Sequence, residues 1–145
     1  MIKTIISKDE KELAIKKCDG AFLYGIYSRD DFDDILEKID KNAEFIAYFE
    51  NDEIIGYAAM YNNDFESGVA YITMIGVCQE YQRRHIGRSL MDQCKKNAKK
   101  NGMKTIRLEV LDANEKAIRF YENEGFMFEK RCSINSRYMV FEIFD

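Results

Sequence analysis

The sequence contains no proline, and it has no low-complexity run and no internal repeat. With nothing to mark a linker, its 145 residues read as one continuous domain, 1–145, long enough to bury a core and too short for two separate interiors. No stretch is apolar for long enough to span a membrane. The opening "MIKTIISKDEKE" becomes charged before a signal-peptide core develops. The four cysteines, Cys18, Cys78, Cys94 and Cys132, form no CxxC pair and have no histidine ligand set beside them, so no metal site is expected. They are expected instead as reduced, small core residues of a cytoplasmic protein. An excess of positive charge is also missing. The net charge of -4 argues against a nucleic-acid binder whose affinity rests on neutralising phosphates.

What is present reads as a globular α/β chain, a mixed sheet covered by helices. Hydrophobic residues make up 46% and charged residues 33%, which excludes a disordered chain. "IKTIIS" reads as a first strand, followed by a helix over "KDEKELAIKKC". A second helix is expected from Ser28 as N-cap, with Phe32, Ile35, Leu36 and Ile39 at helical spacing. Between them "DGAFLYGIY" reads either as a packed turn or as an aromatic wall of a pocket. Three strands follow, "AEFIAYFE", "IIGYAAMY" and "VAYITMIGV", the first two joined by an Asn51–Asp52 hairpin turn. A helix from about Ile86 to Asn101 ends at Gly102 behind a lysine-rich last turn. Strand "KTIRLEVL", a helix from Asn114 to Glu124 and two last strands complete the order β-αα-βββ-α-β-α-ββ.

The segment "CQEYQRRH" between a strand and the helix at Ile86 forms a strand-to-helix turn. Unsatisfied backbone N–H groups and the positive end of the helix dipole converge there, which is an anion site by geometry. Gly87 lets a ligand approach the backbone closely, and Arg83, Arg84 and Arg88 add charge. Neither GxxxxGK[ST] nor GxGxxG occurs, so the two common nucleotide-phosphate fingerprints do not account for it. A solvated helix start accounts for the arginines equally well when the turn is taken alone.

A second segment, "LEVLDANEKAIRFYENEGF", runs as strand, loop, helix, glycine stop and strand. Val77, Gln82, His85 and Gly87, together with Asn114, Ala117, Phe120, Tyr121, Gly125 and Phe126, resemble in order the two motifs of the GNAT superfamily of N-acetyltransferases. The resemblance covers roughly Tyr71 to the C-terminus and is nearest to the ribosomal-protein alanine acetyltransferase branch. It implies acetyl-CoA as co-substrate, no metal, and acetyl transfer to a primary amine on a small molecule or a peptide. It also implies coenzyme contacts from Ile75, Gly76, Val77, Gln82, Arg83, Arg84, His85, Ile86, Gly87, Arg88, Ser89, Asn114, Ala117 and Tyr121. His85 stands where the family motif has its first glycine, and the proline often found in the preceding loop is missing.

By the same resemblance Tyr121 is the acid that protonates the departing thiolate, and Glu109 is the base that takes the proton of the amine. Tyr121 follows Asn114 by seven residues, so both project from one helix face. Asp64, Glu66, Tyr71 and His85 are further candidates for the base. The acidic run "SRDDFDD" suits either a cationic acceptor or a solvated helix face. A non-catalytic acyl-CoA-binding regulatory module is the alternative to an enzyme, and the sequence leaves the oligomeric state open.

Overall fold

The computed structural model describes residues 1–82 and 84–144. Its strands are β1 (Ile2–Thr4), β2 (Glu44–Glu50), β3 (Glu53–Tyr61), β4 (Val69–Val77), β5 (Thr105–Leu111), β6 (Met127–Ser133) and β7 (Ser136–Glu142). The helices are α1 (Lys8–Lys17), α2 (Phe32–Asn42), α3 (Ile86–Lys100) and α4 (Glu115–Asn123). The strands form one sheet in the order β1-β2-β3-β4-β5-β7-β6, in which β4 and β5 run parallel and the other neighbours antiparallel.

Each face of the sheet carries its own core. On one, Ile15, Leu36 and Ile39 of α1 and α2 pack on Phe45 and Tyr57, whose rings stack 5.2 Å apart. On the other, Leu90, Met91 and Cys94 of α3 pack on Ile55, Ile106 and Leu108. The inner strand β3 is therefore buried on both sides, which is why it reads as a continuous apolar run rather than an alternating one.

Local signals account for most boundaries. The Ser7 hydroxyl accepts from Glu10 N–H and caps α1, and the Asn114 side chain accepts from Ala117 N–H and caps α4. Asn51 and Asp52 both hold positive φ, 51° and 65°, the conformation that a tight β2–β3 hairpin requires. The second helix differs from expectation. It starts at Phe32 with Asp31 at its cap position, and Ser28 lies in the turn before it. The cause is Asp19, whose carboxylate accepts the N–H groups of Ile26 and Tyr27 at 2.8 and 3.2 Å and coils residues 26–31 ahead of the helix.

Candidate functional site

Strands β4 and β5 are paired only at Val69–Thr105, Ala70–Ile106 and Tyr71–Arg107, and beyond that they diverge. The divergence begins beside a bulge. Ala59 pairs with Met74 and Met60 with Ile72, so Thr73 is an extra residue that bends β4 away from its parallel neighbour. Residues 72–77 thus keep β3 on one edge and turn an unpaired edge to the other side, while residues 108–111 keep only β7. Gly76 lies in the splayed portion and not at the bulge. A Cβ on Gly76 would stand 2.9 Å from the Phe22 ring, so the glycine admits that aromatic residue.

The opening between the strands is a cavity of about 160 Å³ reached by Thr73, Ile75, Glu109, Asn114 and Tyr121, with Phe22 and Tyr24 across it. It continues into a groove of about 410 Å³ that passes Gly76 and Val77, runs along Ala117 and Phe120, and ends at His85, Gly87 and Arg88. Tyr121 and Asn114 line both portions, as their seven-residue spacing on α4 predicts. The loop "DGAFLYGIY" supplies the facing aromatic wall, and Gln79 fixes it by donating to Gly20 O at 2.9 Å.

The groove ends at the start of α3, which differs from the other helices. Asp9 and Glu10 stand in the first turn of α1, Asp33 and Asp34 in that of α2, and Glu115 in that of α4, whereas the first turn of α3 has no acidic residue. Its cap residue His85 makes no side-chain cap bond, and the first helical hydrogen bond runs from Ser89 N–H to His85 O. Among the described residues the N–H groups of Ile86, Gly87 and Arg88 therefore have no acceptor within the helix, and their turn contains no carboxylate. His85 holds left-handed backbone, φ 61° and ψ 17°, a conformation that histidine tolerates better than most residues.

The charged residues of this turn are not equivalent. Arg84 is committed elsewhere, since its guanidinium forms a forked pair with Glu50 of β2 at 3.0 and 2.6 Å. Ser89 donates back to His85 O at 3.1 Å, and neither it nor Arg84 lines the groove. Arg88 does line it, with Glu124 3.9 Å from its Nε. The Gln82 side chain braces the turn by donating to Val77 O at 3.1 Å, and Lys116 Nζ donates to Gln82 Oε1 at 2.6 Å. Arg83 lies outside the described residues. Lys116, Phe120 and Glu124, which sequence reasoning did not assign to the site, line the groove at i, i+4 and i+8 of one helix face, a periodicity that could have revealed them.

Two side chains at the splay can handle protons. Tyr121 packs between Phe120 and Phe126, at centroid distances of 5.5 and 5.8 Å, and burial raises its hydroxyl pKa to about 12. It stays protonated at neutral pH and can donate. Glu109 is exposed to the cleft, and its Oε2 accepts a 2.7 Å hydrogen bond from Ser136, a fully buried hydroxyl on β7. Ser136 was not legible as part of the site, because its role arises from the β5–β7 pairing. Tyr71 also lies nearby, its pKa raised to about 12 by burial first and by the negative charge of Glu109 second. His85 stands at the groove's far end, with the start of α3, and Asp64 belongs to a turn in which it accepts from Ser67 N–H. Among the described residues no cluster of three or more His, Cys, Asp or Glu side chains could hold a metal ion, and no helix is long and apolar enough to cross a membrane.

This architecture has relatives. The chain is 39% identical over 64 residues to N-alpha-acetyltransferase 60 of Danio rerio, a match covering 42% of this chain and 26% of that protein. It thus spans about a quarter of that curated relative. The fold matches the ribosomal-protein-S18-alanine N-acetyltransferase of Escherichia coli with a TM-score of 0.78 at 18% identity, covering 99% of this chain and 94% of that one. It also matches the PaiA N-acetyltransferase of Thermoplasma acidophilum, a structure in complex with coenzyme A, with a TM-score of 0.77 at 19% identity, covering 98% and 99%. Residues 12–126 match the acetyltransferase (GNAT) family, and the chain belongs to that family.

Proposed function

We propose that this chain is an acetyl-CoA-dependent N-acetyltransferase that moves an acetyl group to a primary amine by direct transfer. The observation that carries this reading is the splay itself: an unpaired β4 edge, a proton donor and a carboxylate share one cleft that runs on to an open helix N-terminus.

The groove suits acetyl-CoA on three counts. The start of α3, with no side-chain cap and no acidic residue in its first turn, offers the N–H groups of Ile86, Gly87 and Arg88 to a pyrophosphate, and the Arg88 side chain adds charge that it shares with Glu124. The unpaired edge at Ile75, Gly76 and Val77 offers main-chain groups to an amide-bearing arm, as a neighbouring strand would. Between these, Ala117 and Phe120 give the groove an apolar side. Bound there, acetyl-CoA supplies an acyl group on a thiol leaving group. Asn114 caps α4 and also lines the cleft, so it can serve both roles.

An N–H of the β4 edge polarises the acyl oxygen from a position fixed before reaction, which removes reorganisation from the step. Glu109, held by Ser136, accepts the proton that the incoming ammonium must lose before the nitrogen can attack. As the N–C bond forms and the C–S bond breaks, Tyr121 gives its proton to the sulfur, and the second proton, which the acylated nitrogen sheds as it becomes an amide, restores the tyrosinate to the phenol. A phenol at about 12 is a weaker acid than a free thiol, but the same apolar surroundings also raise the proton affinity of a thiolate, which narrows the mismatch.

The test incubates the protein with acetyl-CoA and a panel of amines and follows free thiol. Tyr121→Phe is expected to lower kcat about 100-fold while leaving acetyl-CoA binding intact, and Glu109→Gln to remove the base-dependent rise of rate with pH. Undiminished turnover in Tyr121→Phe would remove it as the acid. Tight acetyl-CoA binding without turnover on any amine would leave the regulatory module as the better reading.

A further inference from the structure

Beside the narrow part of the cleft lies a wider cavity of about 600 Å³ between α2, the loop before it and β4. It shares Phe22, Tyr24, Thr73 and Met74 with the space that holds Glu109 and Tyr121, so the two adjoin across these four residues. Its walls are mainly apolar and aromatic, with Ile26, Ile35, Ile39, Tyr61 and Tyr71 completing them. The charged side chains in its lining are both cations, Arg29 and Lys38, and among the described residues no carboxylate lines it.

The two cations are in different states. Arg29 is neutralised by a forked pair with Asp31, at 2.9 and 2.8 Å. Lys38 has no carboxylate within ion-pairing distance among the described residues, and its Nζ stands 5.6 Å over the Tyr61 ring. A free ammonium against an aromatic wall repels a second ammonium on a ligand and attracts a carboxylate. The acidic run does not reverse this, because none of Asp30, Asp31, Asp33 and Asp34 lines the cavity, and Asp30 and Asp33 line a neighbouring hollow with Glu12, Tyr27 and the shared Arg29.

Resting on the N-acetyltransferase reading, we infer that the acceptor is a monoamine with a bulky apolar body and one carboxylate, seated in the α2–β4 cavity with its carboxylate toward Lys38 and its amine toward Glu109. Two chemistries are thereby disfavoured. Polyamines and other polycations would bring a second positive charge to Lys38, and small polar amines would leave the aromatic walls unfilled. The same chemistry occurs in a free aromatic amino acid and in the N-terminus of a short peptide with an apolar first residue and an acidic second one.

The experiment measures thiol release with acetyl-CoA and four probes: phenylalanine, phenylalanine amide, the dipeptide Phe-Glu and spermidine. Phenylalanine or Phe-Glu is expected to exceed spermidine at least about tenfold in kcat/KM, and which of the two leads tells the free amino acid from the peptide. Lys38→Gln should raise KM for the carboxylate-bearing probes about tenfold and leave phenylalanine amide unchanged. A second readout, calorimetric binding of phenylalanine and Phe-Glu to the CoA-saturated protein, does not depend on turnover. Lys38-dependent binding without turnover would keep this cavity assignment and overturn the transferase reading. Spermidine as the preferred acceptor would do the reverse. Equal effects of Lys38→Gln on phenylalanine and its amide would overturn the carboxylate contact, and no binding with no turnover would overturn both.

Discussion

His85 carries a cost that glycine would avoid. At φ 61° its Cβ crowds its own backbone, a strain of about 1 kcal/mol for a residue with a side chain. Nothing repays that cost at the helix cap, because the imidazole makes no cap hydrogen bond. His85→Gly should therefore stabilise the fold by about 0.5 kcal/mol after the added chain entropy of glycine is subtracted, read as a small rise in melting temperature. The amide groups of Ile86, Gly87 and Arg88 keep their directions, so KM for acetyl-CoA should move by less than about twofold. A drop in stability would show that the imidazole contributes something beyond the backbone position.

At the scale of elements, the groove is the space between α3, α4 and the free edge of β4. Gly87 sets its width. A Cβ there would lie 3.5 Å from the Phe120 ring and 3.8 Å from Val77, ordinary contact distances, and no positive φ constrains the position. Gly87→Ala should consequently fold with a melting temperature near that of the parent, yet raise KM for acetyl-CoA about tenfold by filling the groove and screening the amide donors. Equal losses in stability and binding would mean that the substitution distorts α3 instead.

The same scale separates what the chain announces from what it conceals. Hairpin, helix periods, Gly102 and the Asn114 cap are local signals, and each appears where its residues stand. The start of α2 was concealed because the competing group, Asp19, lies nine residues before Ser28 in sequence and acts through the amides of Ile26 and Tyr27. The arginines of the turn read alike in sequence, but Arg84 is drawn to Glu50 on β2, a partner that only the folded sheet brings near. Ser136 behind Glu109, and Lys38 without a carboxylate partner among the described residues, likewise follow only from the tertiary structure. Motif spacing put Asn114 and Tyr121 on one helix face, which lines a cleft; tertiary pairing decided which other side chains line it.

For the whole molecule, two cores sandwiching one sheet place phenols where water is scarce. Burial pushes Tyr57 far above the ordinary phenol range and raises Tyr71 and Tyr121 to about 12. The unfolded chain releases these protons near pH 10, before the folded one does. Stability that is full below pH 10 should thus decline as pH rises through 12, because the unfolded state gains by ionising and the folded state cannot. Tyr71 and Tyr121 together contribute about 3 kcal/mol to this decline, after discounting their partial exposure from about 1.4 kcal/mol per unit each. Urea unfolding at pH 8, 10, 11 and 12 measures it. A Tyr71→Phe, Tyr121→Phe double variant should lose distinctly less stability over that range than the parent. Lysine deprotonation and growing negative charge act on both proteins alike, so equal declines would mean that the cleft phenols meet as much water folded as unfolded.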